Sequence, residues 1–103
     1  STLLANKSFT LAAVKADGRA LSGATEALKS DRQIVLAAVN ARGDALMFAS
    51  ESMRDSKEVV LAAVELWGPA LRYASEDLRG DEEVVLAAVR TWGLALQHAT
   101  IEL

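Results

Sequence analysis

Few residues in this 103-residue chain could do covalent or acid–base chemistry, and their spacing does not gather them. Cysteine is absent, which excludes disulfides and thiolate metal sites. His98 is the only histidine, and without a placed Asp or Cys partner an imidazole makes a weak base or ligand. Hydroxyls recur at Thr25, Ser50, Ser75 and Thr100, where they read as small packing residues on a helix flank, able to bond back to the preceding turn. Carboxylates are plentiful, but helix starts and outer faces account for most of them. A raised pKa would need burial that the pattern does not give. No glycine-rich phosphate loop, histidine metal motif or nucleophile elbow is present. The expectation is a chain that is not an enzyme, with no catalytic residue, no metal site and no cofactor.

Binding chemistry is better represented, in positions that recur every 25 residues. Asp17, Arg42, Trp67 and Trp92 form one column, changing from charged to aromatic midway. Trp is enriched at binding hot spots, yet Trp also packs, and the helical angle of this column allows either. Arg42 could lie over Trp67 in a cation–π contact. A second column is Gly23, Phe48, Tyr73 and His98; it either lines a groove or seals the seam between repeats. Arg72 stands beside Tyr73. Trp67, Trp92, Arg42, Arg72, Tyr73 and Phe48 are thus the candidate protein-binding residues. A third column pairs Glu26, Glu51 and Glu76 with Lys29, Arg54 and Arg79 at i,i+3, which reads first as a solvated outer face and second as a docking rail.

The elements that carry these columns follow from an internal repeat. Leu-Ala-Ala-Val begins at Leu11, Leu36, Leu61 and Leu86, and Gly18, Gly43, Gly68 and Gly93 keep the same period. A period in this range indicates stacked supersecondary units. Asn6, Asp31, Ser56 and Asp81 are suited to cap a first helix (A), with Asp55 and Glu58 as an alternative capping box. The four glycines read as left-handed helix stops and structural turns, so Gly43 and Gly68 are expected at positive φ. Pro69 suits the first turn of the next helix. A second helix (B) is expected from about Ala45 to Arg54, with Ala45, Leu46, Ala49 and Met53 on one face. Helix A is apolar around most of its circumference and is expected inside, with helix B outside.

The fold class this implies is all-α: an α-solenoid of about four 25-residue helix–turn–helix repeats, forming one domain over 1–103. The repeats fall at about 5–29, 30–54, 55–79 and 80–103, with 1–5 as the tail of a preceding unit. Leu3 and Leu103 extend the column Leu28, Met53, Leu78 to both ends, and no polar cap is visible there. Self-association through those ends, or a longer array, is the corresponding expectation.

Composition narrows the partners. No stretch approaches the roughly 20 apolar residues of a membrane span, and no signal peptide is visible, which points to a soluble chain of undetermined compartment. The net charge of −3 is uneven. Residues 1–50 carry six Lys/Arg against four Asp/Glu, and residues 51–103 carry five against ten. The acidic half argues against a nucleic-acid surface along the whole chain.

Residues 56–79 and 81–103 nearly spell Asp-x-Glu-Val-Val-Leu-Ala-Ala-Val-x-x-x-Gly-x-Ala-Leu-x-x-Ala-Ser-x-x-Leu-Arg. This unit resembles the repeat of domain of unknown function 4116, over almost the whole chain. The resemblance implies tandem copies and no assigned activity, so it transfers no functional residue. The first unit departs most, with Phe9-Thr10 in place of Val-Val and Gly23 in place of the aromatic. The leading expectation is a non-enzymatic scaffold for a protein partner of unknown identity. A recognition segment of a larger enzyme or effector is the alternative, and an RNA-binding helical repeat the remote one.

Overall fold

The computed structural model describes residues 6–98, with side chains up to residue 92. Three kinds of segment alternate along it. Long helices are α1 (Lys7–Ala16), α3 (Arg32–Ala41), α5 (Lys57–Leu66) and α7 (Glu82–His98). Short 3-10 helices follow the first three: η1 (Gly18–Gly23), η2 (Gly43–Phe48) and η3 (Gly68–Tyr73). Each of these leads to a one-turn helix: α2 (Glu26–Lys29), α4 (Glu51–Arg54) and α6 (Glu76–Arg79). Single cap residues, turns and bends join these helices, and no strand occurs among the described residues. None of the described helices is long and apolar enough to cross a membrane.

The long helices start where short acceptors occur. Asn6, Asp31 and Asp81 accept from the N–H groups of Phe9, Ile34 and Val84 at 2.9, 3.1 and 3.1 Å. These bonds satisfy donors that have no partner within the helix. Ser56 occupies the same place at α5 but makes no side-chain cap bond.

Helix termination differs from the expectation. Gly18, Gly43 and Gly68 are not left-handed stops, and no described residue has a positive φ. The chain turns instead at the residue before each glycine. Asp17, Arg42 and Trp67 are extended, at φ −155°, −158° and −151°, and each is at once the C-cap of a long helix and the N-cap of a 3-10 helix. Glycine is needed there for closeness. A Cβ on Gly18 would collide with the Ala38 carbonyl oxygen, and one on Gly68 would sit 2.5 Å from the Ala88 oxygen and 2.9 Å from Thr91 Oγ1. Each glycine therefore rests on the backbone of the next long helix. Gly93 has no following long helix among the described residues, and there α7 runs on through the glycine for 17 residues in all.

Helix B also splits, into η2 plus α4. Ala24, Ala49 and Ala74 are extended with ψ near 160°, and Thr25, Ser50 and Ser75 then cap the one-turn helices. The cause lies between units. A continuous α-helix would send the Ser50 N–H to Leu46, but it goes to the Lys29 carbonyl at 3.1 Å, and the Ser75 N–H goes to Arg54 at 2.9 Å.

Consecutive long helices pack in order, α1 on α3, α3 on α5 and α5 on α7, and η1, η2 and η3 pack in the same order beside them. The shape is elongated, 49 × 26 × 16 Å. The core lies between the two rows: Val14, Ile34, Val35, Val39, Val59, Val60, Val64 and Val84 from the long helices, Leu21 and Leu46 from the 3-10 row. Fully buried Ala38, Ala63 and Ala88 keep the helix axes close. The long helices are not enclosed as expected. Their outer side, including Lys15, Glu65 and Leu66, is exposed, because each row has one face on the core and one in water. The segment 1–5, with Leu3, and residues 99–103, with Thr100 and Leu103, lie outside the described residues.

Candidate interaction edge

The corner where each long helix gives way to its 3-10 helix forms one edge of the molecule, and two side chains set its chemistry. The residue before the glycine and the residue after it stand side by side. In the first unit these are Asp17 and Arg19, joined by an ion pair at 2.9 Å. In the second the signs reverse, with Arg42 and Asp44 at 2.6 Å. In the third the pair is apolar, Trp67 and Pro69. The column is held in register by the glycines. A Cβ on Gly43 would meet the Trp67 Cβ at 2.9 Å, and one on Gly68 would meet the Trp92 Cβ at 2.9 Å. Each column residue thus sits over the glycine of the preceding unit.

The electrostatics follow that geometry. Hydrogen bonds from the Arg19 guanidinium and then the Arg19 backbone N–H hold the Asp17 carboxyl below its ordinary range, with a further contribution from the charge of Arg42. Arg19 is raised, first by its hydrogen bond to Asp17 and then by that carboxylate's charge. The first two units therefore present a checkerboard of satisfied charge, and the third and fourth present indole rings.

Trp67 and Trp92 are 39% and 46% exposed. Packing between units does not absorb them. A depression of 370 Å³ lies between Arg42, Gly43, Asp44 and Trp67. A more apolar one of 310 Å³ is lined by Pro69, Leu71, Arg72, Arg79 and Trp92. Arg42 does not lie over Trp67; its guanidinium is committed to Asp44. The cation–π contact that forms is Arg72 over Tyr73, at 5.5 Å. Phe48 and Tyr73, the last residues of η2 and η3, are half-buried against the core. The His98 side chain lies outside the described residues, and the Gly23 end of this column is exposed.

Two sequence readings change. Thr25, Ser50 and Ser75 are helix caps, accepting from Leu28, Met53 and Leu78 at 3.3, 3.4 and 3.3 Å. The signal was present as Thr or Ser directly before Glu26, Glu51 and Glu76, since an acid in the first turn suits a helix start. The i,i+3 ladder is also not the main one: only Glu26–Lys29 pairs, at 4.0 Å. The ladder that forms runs between units, Lys7 to Asp31 at 3.1 Å, Arg32 to Glu58 at 3.0 Å, and Lys57 to Asp81 and Glu83 at 3.2 and 2.9 Å. Its signal was the cation at the first helical position of three successive long helices.

No cluster of three or more potential metal ligands occurs among the described residues. The family model described as a domain of unknown function (DUF4116) matches the chain twice in tandem, over residues 6–54 and 56–103. Each match spans two of the 25-residue units. No curated protein and no solved structure matches the chain.

Proposed function

The chain belongs to the family of unknown function DUF4116, which assigns it no chemistry, and we propose from its surface that it is a short α-solenoid of four units serving as a non-enzymatic scaffold for a protein partner. The observation that carries this reading is the pair of exposed indoles, Trp67 and Trp92, on one edge and one repeat apart. Solvent-facing Trp beside apolar Pro69 and Leu71 and two arginines is the composition of a binding anchor, where aromatic area and guanidinium donors act together. Stacked units separate equivalent side chains by about the 8–10 Å of helix packing, so the two rings suit successive anchors of one extended or helical segment. The preceding corners, closed by their own ion pairs, offer no equivalent anchor, which confines the contact to the third and fourth units.

Affinity purification of the native protein beside a Trp67→Ala/Trp92→Ala variant tests this reading. A stoichiometric protein retained by the first and lost by the second, with an unchanged thermal melt, is expected. Equal recovery by both proteins would remove the tryptophan edge from the function.

A further inference from the structure

On the side of the long helices turned away from the core, α1 and α3 enclose a groove of 490 Å³. Leu11 from α1 and Leu36 and Ala37 from α3 are its half-buried apolar part, and Lys15, Gln33 and Asn40 are its exposed polar rim. Ala41 completes the α3 wall. Both walls are helices packed on one another within the array. Units stack along the row, so a further unit at either end would extend this side and not cover it. One period on, between α3 and α5, the same places hold different chemistry: Leu66 for Ala41, Glu65 for Asn40 and Glu58 for Gln33. Leu66 is 56% exposed, so a leucine at this place projects outward, where Ala41 leaves room.

Shape and charge together indicate the occupant. Ala37 and Ala41 stand at i and i+4 on one helix face, and neither has a side chain beyond Cβ. Such a face admits another helix at the short end, about 8 Å, of the usual packing distance. The charge is uncompensated. Lys7, Arg19, Arg32, Arg42 and Lys57 each meet a carboxylate, whereas Lys15 forms no ion pair among the described residues. Its place in the last turn of α1 suits the helix dipole and leaves its ammonium donors facing solvent. No carboxylate is among the residues that line the groove. The amides of Gln33 and Asn40 both donate and accept, so they oppose neither sign.

We infer that the α1–α3 groove docks an acidic amphipathic helix of a protein partner. Apolar side chains at i and i+4 of that helix lie over Ala37 and Ala41, against Leu11 and Leu36, and a carboxylate about one turn further along pairs with Lys15. Ala41 supplies the room and Lys15 the sign. The α3–α5 groove does not take the same ligand, because Leu66 fills it and Glu65 repels the acid. The contact uses no residue of the tryptophan edge and stands or falls separately from partner binding there.

Selection from a displayed library of random peptides tests it, with the full chain as target and its Ala41→Leu variant as counter-target. Peptides of about 15 residues suffice for a helix of roughly four turns. The counter-target is expected to fold, because leucine occupies the same place in α5, and helicity with an unchanged melt checks this. Enriched peptides are expected to carry apolar residues at i and i+4 and an Asp or Glu one turn on. In fluorescence anisotropy, a labelled enriched peptide should bind Ala41→Leu about tenfold more weakly than wild type. Lys15→Glu, at an exposed position, should weaken binding by a similar factor, and Lys15→Arg should restore it. Trp67→Ala/Trp92→Ala should bind as wild type does. No enrichment over the counter-target, enrichment of basic in place of acidic peptides, indifference to Lys15→Glu, or loss in the tryptophan variant would each overturn the proposal.

Discussion

Gly68 shows how a single residue type is fixed by its neighbours rather than by its own torsions. With φ in the ordinary range, glycine is required there only because a Cβ would press on the Ala88 oxygen and Thr91 Oγ1. Gly68→Ala should cost about 1–3 kcal/mol as overpacking, read as a lowered thermal or denaturant midpoint. Gly80→Ala should be close to neutral, because its Cβ would meet only the Asp77 oxygen, at 3.8 Å. Equal losses at both sites would refute the close-approach account. The same scale holds the pH response. At Asp31 burial raises the carboxyl, but the Ile34 N–H together with the hydrogen bond and charge of Lys7 outweigh it and leave the pKa lowered. At Asp81 the Val84 N–H is the largest cause of a lowering to which Lys57 adds, against burial. A depressed folded-state pKa stabilises above the unfolded value of 3.8 and is lost as pH falls through the folded value. The melting temperature should therefore fall as pH drops below about 4. In an Asp31→Asn/Asp81→Asn variant that fall should be shallower, and an unchanged slope would assign it to other carboxylates.

At the scale of elements, the unit is a long helix, a 3-10 helix and a one-turn helix, and the joints between these are where neighbouring units tie together. Ser75 occupies one such joint: its N–H reaches the Arg54 carbonyl, and its hydroxyl donates to Asp55 at 2.6 Å and caps Leu78. Ser75→Ala should lower stability by about 0.5–2 kcal/mol, the usual range for a lost cap, measurable by chemical denaturation. Thr91 is a second tie, its Oγ1 2.9 Å from the Val64 carbonyl of the preceding long helix. Thr91→Val keeps its shape and removes that bond, for an expected loss of about 0.5–1.5 kcal/mol. Hydrogen exchange should place the slowest amides in α3 and α5, which pack against a long helix on either side, and faster ones in the one-turn helices α2, α4 and α6; equal protection throughout would refute that ordering.

For the whole molecule, the long helices pack each on the next, and the buried side chains from Val14 to Ala88 form one core cluster between the two rows of a molecule 49 Å long. Surface roles then separate by position: one edge bears the exposed tryptophans, and the inter-unit ion pairs lie at the starts of the long helices. Trp67→Ala/Trp92→Ala should leave the denaturant midpoint nearly unchanged, because both rings are substantially exposed. A large drop would assign the rings a packing role.

The sequence by itself determined the helical class, the 25-residue period, the caps at Asn6, Asp31 and Asp81, and the column containing Trp67 and Trp92. These depend on local spacing and on the short-range bonding of side chains to their own helix. Tertiary structure alone decided how each unit bends. Alanine at Ala49 and Ala74 favours a helix, yet both are extended, because the next residue's N–H is drawn to the unit before it. Glycine at Gly43 looked like a left-handed stop, yet its role is set by Ala63 and Trp67, which are 20 or more positions away. The Trp rings likewise stay outside because the corner over each glycine faces water, and their position in the column could not specify that. Such contacts join residues one period apart, and a pattern within one unit carries no record of them.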